Sequence, residues 1–412
     1  MRAPMPVLLA LGSLPPRTGS LSAAELPVSA SVPLGAGVES AVPEADRLRV
    51  AAIQTVNFDD GKLRTAAQEI ADKTTKVVGY IHRSAELGAD IAVFPEMVLT
   101  RYDAALIANG TAADIAAAET RIAAACREAK VWAIVGLPKY LNPSEVVEQA
   151  TCNSFPAGGS RWWNTALVFN DAGEKVYRQA KLRCGGPDGQ LGQWLDVFQG
   201  PKNITSSLQI CADAGDPNIA RLPALAGSRI IYDISAESGI NSYSKIVPYI
   251  AQYQARAHES HAFLVQSNVG ATFETANAAG EPYGPDNTGL LDAQGGSHGN
   301  SLVIAPDGNI LLKAPVFGEF AALQDLDMRL ARGGGGYTPH KFMVAAPPSS
   351  PLASLASLLV LCDAMIAAPP AVSWLLLLLL VTVIHLPTDR CAWAQEPFYD
   401  AGRRLLSRMP ID

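Results

Sequence analysis

WWNTALVFNDAGEKVYRQAKL, residues 162–182, consists of two short runs rich in apolar, aromatic and β-branched residues on either side of a turn. The turn sequence NDAGE places Gly173 between the two runs, and this pattern predicts a β-hairpin. Elsewhere the chain alternates strand and helix patterns, which alone would predict a parallel sheet. Because a hairpin joins antiparallel strands, the stretch changes the prediction to an α/β fold with mixed sheets.

The regular pattern extends on both sides of this hairpin, from about residue 48 to residue 330. The other strand runs are LRVAAIQ (48–54), ADIAVF (89–94), VWAIVGL (131–137), NITSSLQI (203–210), SRIIYDIS (228–235) and AFLVQSN (262–268). Apolar residues at helical spacing mark residues 63–81, 112–129 and 245–260. A second hairpin is predicted at SLVIAPDGNILLKA, residues 301–314, where Pro306, Asp307 and Gly308 form the turn.

Composition narrows the class of protein. The chain has 412 residues, of which 49% are hydrophobic, so a large core is expected. A net charge of −7 and scattered Lys and Arg residues exclude a basic nucleic-acid footprint. The six cysteines form no CxxC pair and no tight cluster with His, so neither a zinc site nor a disulfide framework is predicted.

The two ends differ from the middle in composition. Residues 1–46 are rich in Ala, Pro, Ser and Gly, which predicts a leader or disordered segment with a weak resemblance to a signal peptide. The region between the two ends, 47–345, is predicted to form one folded domain. Residues 346–412 are interpreted as a Pro/Ala-rich linker that contains one long apolar segment.

That apolar segment, AVSWLLLLLLVTVIHL at 371–386, is shorter than the roughly 20 residues that span a bilayer. A membrane anchor and a signal-like segment, with the small-x-small sequence AWA at 392–394 after it, both fit the pattern. We expect membrane contact through 371–386 if the anchor interpretation holds. Cytoplasmic, membrane-associated and secreted locations all remain open.

Three residues with chemically useful side chains stand at the ends of predicted strands. Glu96 follows IAVFP, Lys181 ends the second strand of the first hairpin, and Cys211 ends the run NITSSLQI. Each has an ordinary interpretation, namely a helix cap, an exposed charge and a small buried hydrophobe. Together they supply a general base, a cation and a nucleophile.

With these three residues in this order, the sequence resembles the nitrilase superfamily of carbon–nitrogen hydrolases. The resemblance covers about 48–330 and rests on GADIAVFPEM with Glu96, WWNTALVFNDAGEKVYRQAKL with Lys181, LQICADAGDP with Cys211, QARAHESHAFLVQSNVG (254–270) and GGSHGNSLVIAPDGNIL (295–311). It implies a four-layer α-β-β-α sandwich and a homodimer or higher homo-oligomer. It also implies that no metal or organic cofactor takes part.

The resemblance implies that the protein hydrolyses a non-peptide C–N bond in a small-molecule amide or nitrile. Cys211 would attack and form a thioester, Glu96 would act as general base, and Lys181 with the backbone N–H of Ala212 would stabilise the developing negative charge. An N-acyltransferase acting at a membrane and an inactive binding scaffold remain alternatives. A Cys/His protease fits less well, because His258 and His261 fall at a predicted helix end.

The sequence departs from the family pattern near the site. The residue after the family cysteine is usually aromatic, and here it is Ala212. A further Glu commonly follows the lysine by about eight positions, where this chain has Asp188 nearby, so Asp188 is either a substrate-binding residue or a turn residue. Glu237, after a predicted strand, is either substrate-binding or a surface carboxylate. Glu259 is expected to be a buried structural partner.

Overall fold

The computed structural model describes residues 28–30, 42–56, 64–101, 104–142, 162–185, 189–237, 243–271 and 297–332. The strands are β1 (Val28–Ala30), β2 (Arg47–Gln54), β3 (Ile91–Val93), β4 (Trp132–Tyr140), β5 (Trp162–Phe169), β6 (Lys175–Ala180), β7 (Phe198–Gln199), β8 (Thr205–Ile210), β9 (Ile230–Ile234), β10 (Phe263–Ser267), β11 (Leu302–Ile304), β12 (Ile310–Lys313) and β13 (Phe320–Asp327). The α-helices are α1 (Ala66–Glu86), α2 (Ala104–Asn109), α3 (Ala112–Ala129), α4 (Pro217–Leu225) and α5 (Tyr243–Ser260).

The strands form two mixed sheets, as the hairpins predicted. Within the described ranges, the first sheet has the order β1-β13-β2-β3-β4-β5-β6 and the second has the order β12-β11-β10-β9-β8-β7. The centre of the first sheet, β2 to β4, is parallel, and the hairpin β5–β6 adds two antiparallel strands at its edge. In the second sheet β8, β9 and β10 are parallel, and the hairpin β11–β12 is antiparallel.

Three apolar layers hold the sheets and helices together. The middle layer lies between the two sheets and contains Val50, Val93, Val168, Leu208, Tyr232 and Val265. One outer layer joins the first sheet to α1 and α3 through Ile53, Ile70, Val77, Ile81, Ile122 and Val135. The other outer layer joins the second sheet to α4 and α5 through Ala220, Ile231, Tyr253, Ala257 and Leu264. This arrangement confirms the expected α-β-β-α sandwich.

The central strands read as continuous apolar runs because both of their faces are buried. In β2, Val50 and Ala52 belong to the layer between the sheets, whereas Ala51 and Ile53 face the helices. Since side chains alternate along a strand, a strand between two apolar layers needs apolar residues at every position. The same reason explains the run IIYDI in β9, where the one charged residue, Asp233, is fully buried.

Strand direction brings the candidate site residues to one end of the sandwich. Glu96 follows β3, and Lys181 follows β6, which runs in the same direction as β3 because two antiparallel pairings separate β4 from β6. In the other sheet, Cys211 follows β8 and Glu237 follows β9, its parallel neighbour. Carboxyl ends of parallel strands share one edge of a sheet, which is the usual place for a site in an α/β fold.

In the part of the chain that the structure describes, no helix has the length and apolar character needed to cross a bilayer. The segment 371–386 and Asp188 both lie outside the described residues, so their predicted roles stay predictions.

Candidate active site

Glu96 is a buried carboxylate with donors on both of its oxygens. Oε1 accepts hydrogen bonds from Nζ of Lys181 and from Nδ2 of Asn164, each at 2.7 Å. Oε2 accepts the backbone N–H of Ala236 at 2.9 Å. Ala236 belongs to the loop after β9 in the second sheet, so the carboxylate connects the two sheets at their shared end. The side chain of Glu96 is 0% exposed and that of Lys181 only 2%.

Lys181 is positioned by the β5–β6 hairpin, which the sequence analysis used to predict mixed sheets. Its backbone N–H donates to the carbonyl of Asn164 at 2.9 Å, which extends the β5–β6 pairing by one step. Asn164 therefore supports both partners of the ion pair: its backbone fixes Lys181, and its side chain donates to Glu96. Sequence reasoning missed Asn164, although it stands at an inward-facing position of the same hairpin.

The residues just after Lys181 pack tightly against the turn that carries Cys211. A Cβ added at Gly185 would lie 2.5 Å from Cβ of Ala212 and 3.2 Å from Nζ of Lys181, too close for a side chain. Glycine is therefore required for this close approach. The preceding residue, Cys184, is disulfide-bonded, a bond that the sequence analysis did not predict.

Cys211 lies where a strand turns sharply into a helical segment. It follows β8 and begins the 3₁₀ turn Cys211–Gly215. Its φ of 50° is in the left-handed region, which residues other than glycine rarely adopt. Strain of this kind, typically 1–3 kcal/mol, is found at functional sites. The side chain is only partly buried and packs against the layer between the sheets. The predicted strand-end position is confirmed.

The electrostatics of the site keep the Cys211 thiol protonated at rest. Burial, and after it the negative charge of Glu96, raises the pKa of the thiol well above its usual value, while Lys181 lowers it. Glu237 and Asp233 raise the pKa of the thiol further. These contributions favour the thiol over the thiolate in the absence of a ligand.

Asp213, two residues after Cys211, holds the two sides of the site together. Its Oδ1 accepts the backbone N–H groups of Leu182 at 2.9 Å and Arg183 at 2.8 Å, and Oδ2 accepts the N–H of Ile210 at 3.0 Å. The residue before Cys211 and the residues after Lys181 thus share one carboxyl group. Burial raises the pKa of Asp213 to about 7, although Lys181 and the three N–H donors lower it. The analysis of the sequence missed this residue.

Glu237 is buried rather than on the surface. Its side chain is 0% exposed; Oε2 lies 3.1 Å from Nε2 of His298, and Oε1 accepts the hydroxyl of Tyr253. The surface alternative is therefore wrong. The expected burial of Glu259 is also wrong, because its side chain is exposed, although Glu259 does act as a structural partner by pairing with Arg256 of the same helix.

Among the described residues, no three or more His, Cys, Asp or Glu side chains converge to hold a metal ion. The arrangement offers instead a thiol, a buried carboxylate and a buried ammonium at one end of two facing sheets. Ala212, whose backbone N–H is the predicted donor to the developing negative charge, follows Cys211 in the same turn. These groups suit nucleophilic attack on a polar carbon.

Comparison with known proteins agrees with this arrangement. The model of the carbon-nitrogen hydrolase family matches residues 49–333. A formamidase from Nitratidesulfovibrio vulgaris (strain DP4) is 32% identical over 123 residues, which are 29% of this chain and 32% of the formamidase. A formamidase from Bacillus cereus (strain G9842) is 30% identical over 121 residues, 28% of this chain and 31% of that protein. The matches span about a third of the length of these relatives.

Solved structures show the same fold. A cysteine-to-alanine mutant of an amidase from Nesterenkonia sp. AN1, in complex with butyramide, superposes with a TM-score of 0.53 at 18% identity, covering 74% of this chain and 100% of that chain. A mutant of the same amidase, with the acetamide moiety of fluoroacetamide added covalently at its active-site cysteine, gives a TM-score of 0.54 at 18% identity, covering 75% of this chain and 100% of that chain.

Proposed function

Because the chain belongs to the carbon-nitrogen hydrolase family, we propose that it hydrolyses a small amide through a thioester on Cys211. The observation that carries this proposal is the buried contact of Glu96 with Lys181 at 2.7 Å, at the strand ends that face Cys211. A carboxylate and an ammonium in this position provide a base for the thiol and a cation for the developing negative charge.

The first half of the reaction forms the thioester. Sγ of Cys211 attacks the amide carbon as Glu96 takes the thiol proton, and the carbonyl oxygen becomes an oxyanion. Lys181 and the backbone N–H of Ala212 stabilise this oxyanion, and each donor of this kind typically contributes about 3–4 kcal/mol. The C–N bond then breaks as Glu96 returns its proton to the nitrogen, so ammonia or an amine leaves.

The second half restores the enzyme. Glu96, again a carboxylate, takes a proton from water as the water oxygen attacks the thioester carbon. The C–S bond breaks, the sulfur recovers a proton from Glu96, and the carboxylic acid leaves. The same groups serve both halves, which is why the base needs partners that hold it in one position: Lys181, Asn164 and Ala236.

An amide is proposed rather than a nitrile because the relatives are formamidases and the similar structures are amidases. Two further expectations are kept as proposals: Asp188 binds substrate, and the protein forms a homodimer or larger homo-oligomer. Light scattering on the purified full-length protein measures the assembly directly. A single-chain mass at micromolar concentration would reject the oligomer.

Ammonia release tests the proposed activity. Full-length protein is incubated with formamide, acetamide, propionamide and butyramide, and with the corresponding nitriles. We expect release from at least one amide, faster than from its nitrile, and none above background from Cys211→Ala. Absence of release from every amide by the wild type, or undiminished release by Cys211→Ala, would reject the proposal.

A further inference from the structure

Glu237 is held by contacts from three separate parts of the second sheet and its helix layer. Tyr253 of α5 donates its hydroxyl to Oε1, and Nε2 of His298 lies 3.1 Å from Oε2. The backbone N–H of Glu237 donates to Oδ1 of Asn268, just after β10, at 2.9 Å. Both the carboxylate and the backbone of this residue are therefore fixed.

The orientation of His298 follows from its other contacts. Nδ2 of Asn300 donates to the carbonyl oxygen of His298 at 2.8 Å and lies 3.2 Å from its Nδ1. Because an amide nitrogen only donates, Nδ1 is the acceptor and the ring proton resides on Nε2. His298 thus donates from Nε2 to Oε2 of Glu237.

Ser235, which precedes Ala236, is fixed as well. The backbone N–H of Ser235 donates to the carbonyl of Ser267 at 2.8 Å. Its hydroxyl donates to Asp233 and lies 3.1 Å from the hydroxyl of Tyr253. Ala236 is therefore held between two anchored neighbours, and Tyr253 contacts both of them.

The backbone N–H of Ala236 has a partner of particular interest, because it donates to Oε2 of Glu96 at 2.9 Å. A donor on a carboxylate favours its ionised form and fixes its orientation. The position of this N–H depends on how firmly residues 235–237 are held. The anchored loop thus connects the Glu237 cluster to the base.

We propose that Glu237 is a positioning residue: anchored by His298 and Tyr253, it holds residues 235–237 so that the N–H of Ala236 stays on Glu96. The inference rests on the proposed function, in which Glu96 is the base. It assigns Glu237 a role in the reaction step rather than in substrate binding, which was the expectation from the sequence.

Several titratable groups surround the carboxylates of Glu96 and Glu237 and contribute to the pH dependence of the activity. They lie in β9 and α5, in the segments just after β6 and β8, and in the segment before β11. These groups are Lys181, Cys211, Asp213, Asp233, Tyr253 and His298. Burial, together with the charge of Glu237, raises the pKa of Asp233 well above its usual value. The test therefore compares the pH dependence of kcat/KM between variants at the same pH values. It does not assign one limb of the wild-type curve to one residue.

Glu237→Gln removes the charge and disrupts the anchor. A carboxamide offers one acceptor and one donor group, so it cannot accept from both Tyr253 and His298. Tyr253→Phe is the milder variant, because it removes one donor and leaves the carboxylate in place. The control is Glu319→Gln. The Glu319 carboxylate likewise accepts from a tyrosine, Tyr80 at 3.5 Å, and it accepts in addition from the backbone N–H of Val56 at 2.9 Å and from Lys76 at 2.6 Å.

Two measurements test the proposal on the full-length protein. The pH dependence of kcat/KM with the best amide reports the base: in Glu237→Gln we expect the acid limb to shift, with kcat about tenfold lower and KM within about threefold. Hydrogen exchange reports the loop: the peptide containing residues 235–237 should exchange about tenfold faster. Glu319→Gln should show neither change.

Each other outcome rejects the proposal. A raised KM with unchanged kcat and acid limb would make Glu237 a substrate contact, and unchanged exchange at 235–237 would show that it anchors nothing. If Glu237→Gln does not fold, Tyr253→Phe is judged by the same criteria. If the wild type hydrolyses no amide, the proposed function fails, whereas the exchange measurement still decides whether Glu237 holds the loop.

Discussion

Two of the Glu–Lys pairs in the described part of the chain have nearly equal length and different surroundings. Lys181 and Glu96 lie 2.7 Å apart with side chains 2% and 0% exposed, whereas Lys76 and Glu319 lie 2.6 Å apart with side chains 38% and 10% exposed. Both carboxylates also accept a backbone N–H. The pair at Glu319 joins α1 to the residue before β13. The pair at Glu96 joins the segments after β3 and β6 of the first sheet, and Glu96 reaches the second sheet through the backbone N–H of Ala236.

The difference shows that distance alone does not make a pair functional. Removing two charges from water costs several kcal/mol per ion, so a fully buried pair is weak support for stability and is often replaceable by apolar residues. The partly hydrated pair at Glu319 avoids most of that cost. Stability therefore does not explain the pair at Glu96, whereas the chemistry proposed for Cys211 does.

The largest expected contrast comes from removing each lysine. Lys181→Met leaves Glu96 charged in a buried site, so we expect the free energy of unfolding to fall by about 3–5 kcal/mol. Loss of the cation should also lower kcat by roughly 100- to 1000-fold. Lys76→Met should cost no more than about 1 kcal/mol, because that lysine is partly exposed, and should leave kcat within about twofold.

Urea unfolding and steady-state kinetics on the two variants measure this contrast. Equal effects of the two substitutions on the free energy of unfolding and on kcat would contradict the comparison and would indicate that the pair at Glu96 has only a structural role. A large loss of stability in Lys181→Met with kcat unchanged would separate the buried ion pair from the proposed chemistry.

Asp213 gives a smaller effect that depends on pH. Its pKa in the folded protein is about 7, above the usual 3.8, so the folded state holds this proton more tightly than the unfolded state. The stabilisation is complete below about pH 4 and is lost as the pH rises through about 7. Relative to Asp213→Asn, the free energy of unfolding of the wild type should therefore fall by about 2–3 kcal/mol between pH 5 and 8.

Denaturant titrations at several pH values measure this difference, since groups common to both proteins cancel. A difference between the two proteins that stays constant from pH 5 to 8 would show that the carboxyl is ionised throughout this window and would contradict the raised pKa. The variant should also have a lower kcat, about tenfold, because the residues beside Lys181 and Cys211 lose a shared acceptor.

The smallest effect concerns the other described free cysteine. Cys126 of α3 is fully buried in the layer against the first sheet, and burial raises the pKa of its thiol to about 12. Cys126→Ala removes a packing atom and no reactive group, so we expect a loss of about 1 kcal/mol in unfolding free energy. Its kcat/KM should stay within about twofold of the wild type. A large loss of activity in Cys126→Ala would instead indicate that the active site includes residues of the helix layer.

The sequence predicted those features that depend on local pattern. Both hairpins, the helix at 112–129 and the strand ends before Glu96 and Cys211 are confirmed. Each depends on the period of apolar residues and on turn residues within a short window. The order of these segments also allowed the resemblance to a family, which the match over residues 49–333 confirms.

The features it did not predict depend on contacts between distant segments. Glu237 and His298 are separated by 61 residues, and Asp213 contacts Leu182 and Arg183 from 31 and 30 residues away. No local pattern distinguishes these residues from surface charges or turn formers. Glu259 shows the same limit, since it was expected to be buried and its side chain is exposed.

The most direct test of the central claim is to trap the acyl enzyme. Wild-type protein and the Glu96→Gln variant, in which activation of water should be slowest, are mixed with the best amide, quenched in acid and digested for mass spectrometry. We predict one acyl group, bound as a thioester, on the peptide that contains Cys211, and a larger trapped fraction in any variant that attacks faster than it hydrolyses. An active enzyme that yields no adduct in either protein, or an adduct on any other residue, would contradict the account.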